Sequence, residues 1–197
     1  MVRGRPVMEY CVDRMQRADP GSIRLVTRPA KTDLVSHATE VGLEVILAET
    51  RSSAHSIALG VNGLEPDDIV LIGLADTIWD PVEGFRALVD QVALGSDIAL
   101  GLFQSSEPER SDVVILGDGR HVIEVLVKPA VAPSDQIWGC AAARVRALSG
   151  IEDFDQPGQF FDRRCREVNV TGIWLSDHFV DIGTPEQLLR WSDPPSV

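Results

Sequence analysis

The chain reads as an α/β sandwich of three layers, with helices on both faces of a mostly parallel, Rossmann-like sheet and a small antiparallel subsheet. Three observations predict this. Short apolar runs alternate with helical stretches of about ten residues up to Phe103, the pattern of βαβ units. Beyond Gln104 the pattern shifts to closely spaced strands around Gly117-Asp118-Gly119, a hairpin signal. The chain has 197 residues, 44% hydrophobic and 24% charged, which suits one globular domain around one core.

The elements follow in order. Pro6 to Gln16 reads as a helix with proline in its first turn, closed by Asp19-Pro20-Gly21. Ile23–Thr27 is a short strand. Thr32 or Asp33 caps a helix to about Val41, and Gly42 ends it. Glu44–Ala48 is a strand, and Ser52 or Ser53 caps a helix over Ala54–Leu59. Ile69–Leu74 is the most apolar strand of this half. Asp80-Pro81 then predicts the start of a helix to about Leu94, with proline at its first position, followed by a strand over Asp97–Phe103.

In the second half, Ser105–Ser111 is a polar loop, and Val113–Leu116 with Val122–Val127 forms the hairpin. Trp138–Ala143 is a strand and Val145–Leu148 a helical turn. Gln159–Arg166 is helical, and Val168–Leu175 and Phe179-Val180 are strands. Thr184-Pro185-Glu186 opens a last helix to Trp191, and the tail from Ser192 is coil. No internal repeat interrupts this order, so residues 1–197 form a single domain.

Composition narrows the function classes. The net charge of −12 argues against nucleic acid, because Arg163-Arg164 with Arg166 is the only basic cluster. The charge leaves phosphate ligands open where a divalent cation inverts the local field. No run reaches the roughly 20 apolar residues of a membrane span, and no signal segment opens the chain, so a cytoplasmic protein is expected. Cys11, Cys140 and Cys165 form no C-x-x-C pair and read as small core residues. His37, His55, His121 and His178 are scattered, without a metal-ligand spacing.

Two carboxylates carry the chemistry. Asp76 ends the run Ile69-Val70-Leu71-Ile72-Gly73-Leu74-Ala75, and Asp181 opens Asp181-Ile182-Gly183-Thr184-Pro185-Glu186. Each sits at the C-terminal end of a strand, where open α/β sheets place their ligands. Two carboxylates meeting in one crevice would make a hard-cation site beside a phosphate. The plainer alternative is that each is a turn or cap residue. Capping explains Thr184, Pro185 and Glu186, but it does not explain Asp181.

The ordered motifs resemble the sugar-1-phosphate nucleotidyltransferase family, the NDP-sugar pyrophosphorylases. Arg5-Pro6-Val7-Met8-Glu9-Tyr10 is similar to the family's Lys/Arg-Pro-Met-Ile-Glu-Tyr helix start. Ile23–Thr27 matches its second strand, and Ser52-Ser53-Ala54-His55 resembles its Gly-Thr-Ala turn. Leu71–Asp76 with Thr77-Ile78 resembles the strand ending in Gly-Asp-Thr/Asn-Ile, with Ala75 in place of the family's glycine, a mild change. Val125–Pro129 resembles V-x-E-K-P, and Asp181–Glu186 matches D-I-G-T-P-E. The similarity spans nearly the whole chain, and D-I-G-T-P-E is its most specific piece.

The resemblance implies a nucleotidyltransferase sandwich and a reaction. A sugar 1-phosphate attacks the α-phosphorus of a nucleoside triphosphate, giving NDP-sugar and pyrophosphate. It implies Mg²⁺ held by Asp76 and Asp181, and Lys128 on the sugar phosphate as a point charge. It places Ser53 and Ala54 at the nucleotide, and Trp138 and Gly139 at the sugar. Trp138 reads equally well as plain core, and Lys128 as a surface residue near a turn.

Three departures qualify it. The family's G-G-x-G-T-R loop, its strand and the lysine of K-x-L-x-P lie ahead of the Arg5-Pro6 equivalent, so the domain is expected to be N-terminally incomplete. Val127 replaces the family's glutamate, a sugar-hydroxyl acceptor, and Ser52-Ser53 replaces Gly-Thr. The readings left open are a transferase whose start lies upstream of Met1, a non-catalytic homologue that binds sugar nucleotide or a protein partner, and an unrelated α/β protein. A parallel sheet without its first strand exposes a neighbour's edge, so a marginal or self-associating, homo-oligomeric chain is expected.

Overall fold

The structure, a computed structural model, describes residues 1–192. The expected coil over Asp193–Val197 lies outside the described residues. The elements are α1 (Val7–Gln16), β1 (Arg24–Thr27), α2 (Thr32–Glu40), β2 (Glu44–Leu47), α3 (Ser53–Val61), β3 (Ile69–Gly73), β4 (Thr77–Trp79) and α4 (Gly84–Ala93). They continue with β5 (Ile98–Gln104), β6 (Asp112–Leu116), β7 (Val122–Val127), β8 (Gln136–Arg144), α5 (Pro157–Arg164), β9 (Val170–Ser176), β10 (Phe179–Asp181) and α6 (Pro185–Ser192). Short 3₁₀ turns fill the loops at Pro108–Arg110, Val145–Leu148 and Ile151–Asp153.

The main sheet has six strands in the order β7-β6-β8-β5-β9, with β3 joined to β8. One edge of β8 pairs antiparallel with β5 along its length. Its other edge is shared by β3, through Ile69↔Arg144 to Gly73↔Cys140, and β6, through Val113↔Ile137. Strand β9 lies parallel to β5. Strands β3, β5 and β9 therefore run one way, and antiparallel β8 separates the first two. The pairing is mixed as a result, and β6–β7 is the antiparallel hairpin that Gly117-Asp118-Gly119 predicts.

Helices cover both faces. Ala54, Ile57, Ala58 and Val61 of α3 and Phe160 and Phe161 of α5 pack with Val70, Ile72, Leu100 and Ala141 on one side. Cys11 and Met15 of α1 and Phe85, Leu88 and Val92 of α4 pack with Leu71, Ala99, Cys140 and Ala142 on the other. The alternation of Leu71 with Ile72, and of Ala99 with Leu100, is the period of two that a sheet buried on both faces requires. Strand β5 is buried from Ile98 to Phe103. All three cysteines are buried, and burial pushes the Cys11 thiol up to about 12, so it stays protonated and packs as a small hydrophobe.

Two smaller sheets flank the main one. Strands β1 and β2 pair in parallel and share a core of Met8, Val12, Ala38, Leu25 and Val45 with α1 and α2. Strand β4 pairs antiparallel with β10, over a third cluster of Val2, Ile78 and Ile182 with Tyr10 and Trp191. Arg14 ties this sheet to α1. Its buried guanidinium donates to the Trp79 carbonyl at 2.5 Å and the Tyr10 carbonyl at 2.6 Å, and lies over the Trp79 ring at 5.1 Å.

Two details differ from the sequence reading. Strand β4 was not anticipated, because three residues are too few to show a period. Helix α4 begins at Gly84 rather than at Asp80-Pro81. The Asp80 carboxylate is committed elsewhere, 3.7 Å from Arg14 and 3.3 Å from His178, so it caps no helix.

Close packing of α1 on β3 depends on Gly73. A β-carbon there would collide with Cys11 Sγ and come within 2.7 Å of Met15 Cε. Gly73→Ala is expected to cost about 1–3 kcal/mol in urea unfolding. Gly21→Ala, where nothing lies within 4 Å, is expected to stay within about 0.5 kcal/mol.

Candidate active site

The site is built at the C-terminal end of β3. After Gly73 the chain turns sharply, with the Thr77 N–H and Oγ1 both donating to the Leu74 carbonyl at 3.3 and 2.9 Å. The turn lifts Asp76 out of the sheet. Strand β4 then runs beside β10 with Thr77 opposite Asp181, and the Ile182 N–H donates to the Asp76 carbonyl at 2.8 Å. Two acids a hundred positions apart in sequence thus become neighbours across one antiparallel ladder.

Their carboxylates converge on Gly183. A β-carbon on that glycine would sit 3.0 Å from Asp181 Oδ1 and 3.1 Å from Asp76 Oδ2. The missing side chain leaves a small cradle rimmed by two acid oxygens. The Gly183 N–H donates to Asp181 Oδ1 at 2.7 Å and fixes that carboxylate. Thr184 and Gln187 cap the following helix reciprocally: the Thr184 N–H donates to Gln187 Oε1 at 3.1 Å, and the Gln187 N–H donates to Thr184 Oγ1 at 3.2 Å. Desolvation by surrounding protein pushes the Asp76 pKa up and Asp181 adds repulsion, while a hydrogen bond from its own backbone N–H and, less, Lys31 oppose them.

A cation would relieve that repulsion. Among the described residues no group of three or more His, Cys, Asp or Glu gathers for a metal. Two carboxylates suffice for Mg²⁺, which keeps several waters and takes its remaining oxygens from phosphate. The oxygen donors of the pair are of the kind that ion takes.

Lys128 faces the same cleft, a space of about 700 Å³ that Asp76, Asp181 and Gly183 also line. Its backbone is unusual, with φ of 43° at a non-glycine residue just ahead of a proline. The Lys128 N–H donates to the Ser111 carbonyl at 3.1 Å, which holds the turn. Strain retained at a cleft residue is the pattern found at ligand clamps.

Other anticipated residues stand apart. Ser53 opens α3 and donates through Oγ to the Asp155 carbonyl at 3.5 Å, and Ala54 is fully buried. Trp138 is 6% exposed, meets Phe161 edge-on, and donates to Asp112 Oδ2 at 3.2 Å. Gly139 is overlaid by Phe103 and Phe179. None of these four is among the residues lining the cleft. Asp112 stands directly across from Val127 in the β6–β7 register. A carboxylate therefore returns next to the position where the resemblance places a glutamate.

The cleft also uses residues that the sequence did not single out. Ser105, Ser106, Glu107 and Arg110 form one wall, and Phe179, Gln187 and Trp191 another. The polar loop after β5 was the available signal for the first wall. The second comes from β10 and α6, whose positions only the fold reveals.

No family model matches the sequence. A protein of Sulfolobus acidocaldarius named as a mannose-1-phosphate guanyltransferase is 23% identical over 203 residues, covering 96% of this chain and 54% of that protein. The chain thus spans about half the length of this curated relative. A Bacillus anthracis crystal structure, described as a glucose-1-phosphate thymidylyltransferase in complex with a sucrose, superposes with a TM-score of 0.82 at 19% identity. That match covers 98% of this chain and 83% of that one. In the order of its motifs and in its fold, the chain resembles the sugar-1-phosphate nucleotidyltransferases.

Proposed function

We propose that the cleft is a nucleotidyl-transfer site, joining a sugar 1-phosphate to the α-phosphate of a nucleoside triphosphate with release of pyrophosphate. The observation that carries the reading is the convergence of Asp76 and Asp181 on Gly183. Two anions must meet in this reaction, so the site must supply positive charge. Asp76 and Asp181 would hold Mg²⁺, which when bound neutralises the phosphates. Lys128, on the same cleft, would take the sugar phosphate as a point charge. Gly183 leaves room that any side chain would fill. The residues of this chain thus account for the metal and sugar-phosphate side of the reaction, and the sequence contains no G-G-x-G-T-R loop for the triphosphate.

The direct test follows pyrophosphate from the purified chain with Mg²⁺, nucleoside triphosphates and either glucose 1-phosphate or mannose 1-phosphate. Turnover that falls at least about a hundredfold in Asp76→Asn is the expected result. Lys128→Met is expected to raise KM for the sugar phosphate more than it lowers kcat. Measurable NDP-sugar binding without turnover would favour the non-catalytic homologue instead. No binding and no turnover would defeat the proposal.

Metal binding can be read without activity. Gly183→Ala is expected to abolish Mg²⁺ binding in calorimetry while the circular dichroism stays native. The raised Asp76 pKa means that the folded chain holds this proton more tightly than the unfolded chain does. The metal-free protein should therefore gain stability as pH falls through the Asp76 transition, and this gain should be missing in Asp76→Asn. On acidification, Mg²⁺ affinity should begin to weaken before the pH reaches the range in which an ordinary aspartate protonates, about 3.9. Melting curves and Mg²⁺ titrations across the acidic range check both trends.

A further inference from the structure

Asp112 is a carboxylate with one oxygen held and the other open. It begins β6 directly across from Val127, the last residue of β7. Ser111 beside it and Lys128 beside Val127 both line the cleft. Asp112 therefore stands one residue in from the cleft, about 5 Å across the ladder from the strand that leads to Lys128.

Two neighbours fix the group. The Trp138 indole N–H donates to Asp112 Oδ2 at 3.2 Å, and its ring is met edge-on by Phe161 of α5 at 5.1 Å. Gly158, in the first turn of α5, closes over the same oxygen. A β-carbon there would overlap Oδ2 and come within 2.7 Å of Cγ. Oδ1 has no hydrogen-bond partner among the described residues. It is not sealed from solvent, because Trp79 Nε1 is the one fully buried side-chain polar atom without a partner among those residues. Burial pushes the Asp112 carboxyl above its ordinary range, and the Trp138 donor and Lys128 act against this. An uncharged acceptor would satisfy Trp138 at a lower desolvation cost, so the indole alone does not account for a carboxylate here.

The chemistry of the open oxygen selects its ligand. A phosphate is repelled by it and suits Lys128 instead. A metal ion needs more oxygens than one carboxylate beside an indole supplies. A neutral hydroxyl donor remains, and a sugar whose phosphate rests on Lys128 carries several. We propose that Asp112 is a sugar-specificity residue, with Oδ1 accepting from one ring hydroxyl of the sugar 1-phosphate while Trp138 and Gly158 position the carboxylate. This rests on the transferase reading of the cleft. The resemblance gives a glutamate at position 127 this task, and the chain has valine there. The acceptor has moved to the facing strand, so β6 rather than β7 decides which hydroxyl is read.

The test compares glucose 1-phosphate and mannose 1-phosphate with monodeoxy analogues, each lacking one ring hydroxyl. KM is measured with Mg²⁺ and nucleoside triphosphates, or Kd by calorimetry if the chain binds without turnover. Asp112→Ala should raise KM or Kd for a parent sugar at least about tenfold, with a smaller change in kcat. One analogue should bind the wild type as poorly as that, and Asp112→Ala should weaken it no further. Gly158→Ala, which displaces the carboxylate, should show the same selective pattern. Asp112→Asn keeps the side-chain size and an oxygen for Trp138, which leaves its NH₂ in the place of Oδ1, where it cannot accept. It should show the pattern with a native circular dichroism spectrum, so a misfolded alanine variant does not decide the matter. Losses equal across all analogues, or no loss in Asp112→Asn and Asp112→Ala, overturn the proposal while wild-type turnover or binding leaves the transferase reading in place. A wild-type chain that neither binds nor turns over any sugar phosphate overturns both.

Discussion

The pairing of β4 with β10 is the constraint on which the site depends. It is only three residues long, yet its register sets Thr77 opposite Asp181 and brings Asp76 to the same cradle. So short a ladder cannot stand alone. It is supported below by Ile78 and Ile182 packed on Val2, and beside by Arg14, whose buried guanidinium grips the Trp79 carbonyl. Helix α1 therefore holds the first carboxylate in place without reaching the cleft. Burying Arg14 carries a desolvation cost, offset by two carbonyl partners, the Trp79 ring and Asp80.

The cradle concentrates negative charge in a chain that is already acidic. Asp76 resists ionisation because protein atoms crowd out water and Asp181 repels it. Such an arrangement is unfavourable for the isolated fold and useful for a bound cation, the usual trade at a functional site. The unusual backbone at Lys128 belongs to the same trade. The glycine at 183 keeps the cradle open, and a tight helix cap on Thr184 and Gln187 keeps the glycine in place.

Much of this was legible in the sequence, for physical reasons that vary by element. Strands β3 and β5 declared themselves because helices pack on both faces of each and their residues are almost all apolar. Helix α3 declared itself through Ser52, which caps it by accepting from the His55 N–H at 3.0 Å. The carboxylates stood out because Asp76 ends an apolar run and Asp181 opens a turn whose capping residues do not account for it. The motif order carried their pairing, since no local pattern links positions so far apart. The mixed pairing of β8 was hidden, because a buried antiparallel strand has the same apolar run as a parallel one. Strand β4 was too short to read, and Asp80 imitated a cap while serving Arg14 and His178. Trp138 and Gly139 sit behind the cleft wall, where ring packing rather than sequence pattern decides what faces solvent.

A double-mutant cycle on Mg²⁺ affinity tests the central claim most directly. Wild type, Asp76→Asn, Asp181→Asn and the double variant would be titrated by calorimetry under one set of conditions. Convergence on one ion predicts that either single change removes most of the affinity and that the second change adds little, a coupling of about 1 kcal/mol or more. Strictly additive losses, or metal binding that survives the double change, would place the two carboxylates on separate tasks and contradict the account.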